Sequence, residues 1–243
     1  MPLRAPQLSR PARSSSTPTA SQPYSPSQAR PTASPIRPIS LSRTQPRGDP
    51  RSWDPITAAG LSPRRIANNI ARVFAAATPA DLDAGHRWYP DARALAVRLA
   101  AEGGVTIETA AIVLAHLSPR TPWARTIGFA HVLLTNGEVR GAIGANVARA
   151  RNALEAANPW TSFTATAPKT RAFAAAILGD PDAIAIDVWT ARVAGIPHHD
   201  RYLRRVGFYD TAADLYRHVA HHYAITPTVL QAVTWTVIRG KPN

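Results

Sequence analysis

Beyond residue 52 the apolar positions recur three and four apart, the spacing of one face of a helix. The stretch "PRRIANNIARVFAAA" (63–77) brings Ile66, Ile70, Val73 and Phe74 to one side. "DARALAVRLAAE" (91–102) follows Pro90. "IETAAIVLAHL" (107–117) is apolar nearly all round, as a central buried helix would be. "PWARTIGFAHVLL" (122–134) reads as a helix with Thr121 as N-cap and Pro122 at its first position. "NVARARNALEAA" (146–157) is another. "PKTRAFAAAIL" opens on Pro168 and stops before Gly179. A short helix, "VWTARVAG", follows Asp187. Two more close the chain, 211–223 behind Asp210 and 227–239 behind Thr226. No run alternates with period two, and no repeat is visible. The expected fold is all-α, with nine or ten helices joined by short loops.

Composition divides the chain. Residues 1–52 hold 11 prolines and 8 arginines against one acid, Asp49. Proline at that density blocks regular structure, and few large apolar residues are left to drive ordering. The expectation is a disordered basic arm ahead of one helical domain, 53–243. An Arg- and Ser-rich organelle transit peptide is the competing reading of the arm. The whole chain carries a formal charge of +13, nearly all of it from arginine, since only two residues are lysine. Such a field attracts polyanions, of which nucleic acid is the commonest. No apolar run reaches about 18 residues and no secretory core is visible, so a cytoplasmic protein with no membrane partner is expected. The chain has no cysteine. That excludes disulfides, thiolate zinc sites, iron–sulfur clusters and a cysteine nucleophile.

Within the apolar segment 167–189, two charged residues stand out. Lys169 falls in the first turn of its helix, where the positive end of the helix dipole is the wrong place for a cation. An amine there suits a nucleophile, and a solvated first-turn lysine is the plain alternative. Asp187, inside "AIAIDVW", is an N-cap by position, a role that Asp fills in many helices without any chemistry.

The two residues also carry a resemblance. "TAPKTRA…IAIDVWTARV" is similar to the "GVGRKTA…IAVDTHIFRV" segment of the helix-hairpin-helix DNA glycosylases of the endonuclease III type. "LSPRTPW" (117–123) resembles that family's "LTQNTSW". The likeness covers about residues 105–195, in the family's order and spacing. It implies a two-lobed helical fold, working as a monomer, with a cleft that takes a base extruded from duplex DNA; the family's C-terminal iron–sulfur cluster cannot exist in a chain without cysteine, so no cofactor and no metal are expected. Lys169 matches the lysine that attacks the sugar C1′. Asp187 matches the aspartate that stabilises positive charge on the sugar. Arg120, Trp123, Thr170, Trp189 and Arg192 are the residues expected to contact DNA or the base.

Departures from the family are specific. Its hairpin glycines are Ala165 and Ala167 here, with Pro168 before the lysine, and proline offers a phosphate no N–H. Its histidine after the aspartate is Trp189. Its gap-filling glutamine aligns with Pro119, which leaves Arg120 to take that part. These differences keep two alternatives open: a phage-type enzyme that modifies thymine-derived bases on the same scaffold, and a helical DNA-binding protein without chemistry.

Other residues offer candidate sites. His218 and His222 share a helical spacing that a third ligand from His198, His199 or Asp200 would complete as a metal site, but a solvated helix explains them as well. "RYLRR" (201–205) with Arg192 reads either as a phosphate-binding edge or as a solvated face. Trp235 and His116 are expected in the core.

Overall fold

The computed structural model describes residues 53–239. The arm expected over residues 1–52 lies outside the described residues. Among those described, eleven α-helices and one 3-10 turn follow each other with no strand, so the fold is all-α. The helices are α1 (Asp54–Ala58), α2 (Pro63–Ala75), α3 (Pro79–Gly103), α4 (Ile107–Leu117), α5 (Trp123–Asn136) and α6 (Gly144–Glu155). After the 3-10 turn Pro159–Ser162 come α7 (Pro168–Leu178), α8 (Val188–Ala194), α9 (His199–Tyr202), α10 (Phe208–His222) and α11 (Pro227–Arg239).

Most boundaries follow local chemistry. Ser62, Thr78 and Thr106 each accept a bond from the backbone N–H of the third residue of the helix that follows. Thr78 and Asp81 form a reciprocal capping box, and that bonding holds the Asp81 carboxyl below its usual pKa. Gly104, Gly137, Gly179 and Gly195 end helices in the left-handed region that glycine enters at no steric cost.

Several boundaries differ from the sequence reading by a residue or more, and three helix starts differ for a physical reason. Helix α3 runs from Pro79 through Pro90 to Gly103, whereas the sequence pattern places a helix only after Pro90. Proline forfeits one helical hydrogen bond, but Pro90 is exposed while Tyr89, Ala92, Leu95, Ala96 and Leu99 are buried along the same helix. Packing on both sides of Pro90 outweighs the lost bond. Pro122, not Thr121, is the N-cap of α5, and the Thr121 hydroxyl instead donates to the Pro119 carbonyl. Helix α10 starts at Phe208 behind Gly207, so Asp210 lies inside its first turn rather than capping it.

Buried side chains gather into two large clusters. One joins α1, α2, α8, α10 and Leu230 of α11 around Ile70, Phe208, Leu215 and Tyr216. The other joins α3 to α7 around Leu95, Leu99, Leu114, Leu117 and Ile177. Helix α4 supplies a fully buried run from Ala110 to Leu117, as its all-round apolar pattern requires. Helices α3 and α11 make the most extensive helix contact. They close at Gly85, where an added Cβ would come within 2.4 Å of Val233.

His116 is buried in this core, where its Nε2 lies 2.8 Å from Ser162 Oγ and its ring packs on Phe163. Burial first, then the Arg149 charge, lowers its pKa to about 4, so it stays neutral at ordinary pH. The core reading of His116 therefore holds.

Candidate functional site

The segment joining α7 to α8 is short, apolar and extended, and its side chains alternate. Ile184 and Ile186 enter one core cluster, while Ala183 enters the other. An extended segment with no strand beside it must find partners for its backbone, and buried side chains supply them. The Tyr209 hydroxyl donates to the Ile184 carbonyl (2.8 Å) and accepts from the Ile186 N–H (3.1 Å). Gln231 embraces Ala185: its Nε2 donates to the Ala185 carbonyl (2.7 Å) and its Oε1 accepts from the Ala185 N–H (3.2 Å). The Tyr89 hydroxyl donates to the same Oε1 at 3.4 Å. Tyr216 donates to the Thr190 carbonyl. Burial, with the Asp187 charge pushing the same way, raises the pKa of all three phenols, so they keep their protons.

Asp187 is thus delivered to the start of α8 on a pinned backbone. It is the N-cap, as its position suggested. Its Oδ1 accepts from the N–H groups of Trp189 (2.9 Å) and Thr190 (2.8 Å), and the Thr190 hydroxyl lies 2.8 Å away. All of these contacts fall on Oδ1. Oδ2 has no hydrogen-bond partner among the described residues. Capping therefore occupies one carboxylate oxygen and leaves the other.

That other oxygen matters because Asp187 lines a cavity of about 460 Å³. Lys169, in the first turn of α7, lines the same cavity, without an ion pair to Asp187 or to any other described residue. Arg120, Trp123 and Trp189 line it too. Five of the seven residues singled out in the sequence thus meet at one place. Thr170 and Arg192 do not line the cavity. Arg192 is exposed and stacks on Trp189 from 4.5 Å.

Arg120 sits in a tight turn whose ends are closed by the Thr121 N–H to the Ser118 carbonyl, with the Pro119 carbonyl held by the Asn146 amide. Its φ is +62°, in the left-handed region where a side chain is strained. Its side chain is exposed at the cavity rim.

The cavity wall is a run of aromatic rings. Trp88 contacts both Trp123 (5.5 Å between centroids) and Trp235 (5.2 Å). Trp123 meets Phe173, which meets Tyr89. Arg239 lies over Trp235 (4.8 Å) and Trp189 (5.8 Å). Trp235 was expected in the core; it is instead half-buried in this wall, because its helix face turns toward Trp88. Trp88, Gln231 and Arg239 escaped the sequence reading altogether. A glutamine inside the apolar helix "PTVLQAVTWTVIR" was the available signal, since a buried amide needs partners.

Among the described residues no group of three His, Asp or Glu stands close enough to hold a metal. His218 lies against Trp53, and His222 against Tyr223. His199 approaches its neighbour Asp200 at 3.4 Å. No helix among the described residues is long and apolar enough to cross a membrane.

No curated protein and no solved structure matches the chain. Residues 53–242 match a family of unknown function (DUF7178), a match that begins where the proline-rich segment ends. The chain belongs to that family.

Proposed function

We propose that this chain is a DNA glycosylase-like enzyme that takes an extruded base into the aromatic cavity and breaks its N-glycosidic bond with Lys169 and Asp187. The observation that carries this reading is the meeting of Lys169, Asp187, Arg120, Trp123 and Trp189 at one cavity. A ring-lined pocket with cations at its edge suits a planar base joined to phosphate. Its size falls among pockets of roughly 300–1,000 Å³ that bury small ligands. The two core clusters that supply its walls, one through α8 and the other through α3, α5 and α7, are consistent with two lobes flanking a cleft.

The chemistry divides between the pair. The Lys169 amine attacks C1′. The C1′–N bond breaks with its electrons leaving on the base, which takes up one of the two amine protons. The C1′–O4′ bond then opens, the second amine proton passes to O4′, and an imine remains between Lys169 and C1′. Asp187 Oδ2 faces the positive charge that grows on the sugar as the base departs. Its Oδ1 stays tied to α8, so the charge is held in place before reaction begins.

Release of free base from DNA bearing damaged or mismatched bases tests this reading. Asp187→Asn retains a cap oxygen and so leaves the fold intact, but it removes the charge; base release is expected to fall about 10²–10³-fold. Unchanged release would reduce Asp187 to a helix cap. A wild-type chain that binds such DNA and releases nothing would favour base modification in the same cavity.

A further inference from the structure

The polar groups that line the cavity are unevenly matched. Four indoles, of Trp88, Trp123, Trp189 and Trp235, line it, and none of their N–H groups has a hydrogen-bond partner among the described residues. Arg120, Arg239 and Lys169 add donors of their own. Acceptors are few. Gln231 Oε1 is already filled by Tyr89 and Ala185. The hydroxyls of Ser118 and Thr121 give their protons to the Ala115 and Pro119 carbonyls, which leaves only their lone pairs. Asp187 Oδ2 is the one open carboxylate oxygen.

We infer that the cavity selects oxo-bearing bases over their amino counterparts, in purines and pyrimidines alike. This rests on the nucleobase reading above and adds the substrate class to it. A ring carbonyl such as O4 of uracil or O6 of hypoxanthine meets a surplus of N–H donors. The exocyclic amine of cytosine or adenine puts two N–H donors where the carbonyl puts lone pairs, and the adjacent ring nitrogen loses its N–H in exchange, so that edge is one donor richer and one lone pair poorer in a site short of acceptors. Ring faces cannot make this distinction, because every base stacks on an indole. Edge groups can: a site built for one hydrogen-bonding partner strongly rejects an analogue that leaves its buried polar groups unpaired.

Two matched pairs test the inference: short single-stranded oligonucleotides that differ at one position, uracil against cytosine and hypoxanthine against adenine. Single strands remove the cost of unpairing, so the cavity alone decides. Binding is read by quenching of tryptophan fluorescence. In each pair the oxo member is expected to bind at least tenfold more tightly. Trp88→Phe and Trp235→Phe, which keep a ring and delete the N–H, should together shrink that ratio toward one. Equal affinity within both pairs, or preference for the amino member, overturns the inference and leaves the nucleobase reading standing. An absence of quenching by any of the four oligonucleotides overturns the nucleobase reading itself.

Discussion

At Arg120 the backbone carries strain in a place where glycine would carry none. A φ of +62° costs a residue with a Cβ about 1 kcal/mol or more. Arg120→Gly is therefore expected to raise stability by about 1 kcal/mol in thermal unfolding. The same change removes the guanidinium from the cavity rim, so processing of a base in duplex DNA should fall. Arg120→Ala separates the two effects: the strain stays, stability hardly moves, and processing drops further than nonspecific DNA binding does. Equal losses in processing and binding would make Arg120 an ordinary phosphate contact. Lys169 and Asp187 were legible in the sequence because a charge inside an apolar segment needs a reason. Trp88 and Arg239 were not, because nothing local marks them: they reach the cavity from α3 and from the end of α11, 151 residues apart in the chain.

Among the elements, the extended segment before α8 depends most on groups far away in sequence. Gln231→Leu leaves the Ala185 N–H and carbonyl without their glutamine partner in a buried site, at about 1–3 kcal/mol for each group left unpaired. Tyr209→Phe strips the Ile184 carbonyl and the Ile186 N–H in the same way. Both variants should melt early, and faster hydrogen exchange should be confined first to residues 184–187. The helix contact between α3 and α11 is equally intolerant: Gly85→Ala must push α11 away at Val233 and is expected to destabilise the chain. Helix α3 shows where sequence reading stops. Pro90 is a valid local signal for a helix start, and only the buried stripe on both sides of it overrules that signal. By contrast, α4, α7 and α11 were readable to the residue or nearly so, because the apolar pattern agrees with an end signal in each: Thr106 caps α4, Pro168 opens α7 and Gly179 ends it, and Pro227 opens α11. His116 supplies a pH dependence. Its pKa is lowered to about 4 in the fold from 6.5 in the open chain, so the unfolded chain binds the extra proton first. Its stabilising contribution is complete above about pH 6.5 and is lost as pH falls toward 4. A His116→Gln variant should show a flatter stability profile across that window.

For the whole molecule, charge and chemistry are separable. Residues 1–52 contribute 8 − 1 = +7 of the formal +13. Removing them is expected to leave the melting temperature of the helical domain nearly unchanged. DNA affinity should weaken and its salt dependence flatten, since each phosphate contact contributes a slope of about 0.7–0.9. A deletion that unfolds the domain would make the segment part of the fold. The central claim, that Lys169 is a nucleophile working in the aromatic cavity, has a more direct test. Borohydride added to the full chain with abasic DNA reduces any imine to a stable adduct, and peptide mass spectrometry locates it. The sequence makes the result easy to read, because Lys169 and Lys241 are the only lysines and the N-terminus is the only other amine. The account predicts an adduct on Lys169, absent from Lys169→Gln while that variant still binds DNA. An adduct on Lys241 or the N-terminus, or none with any abasic or damaged DNA, would contradict it.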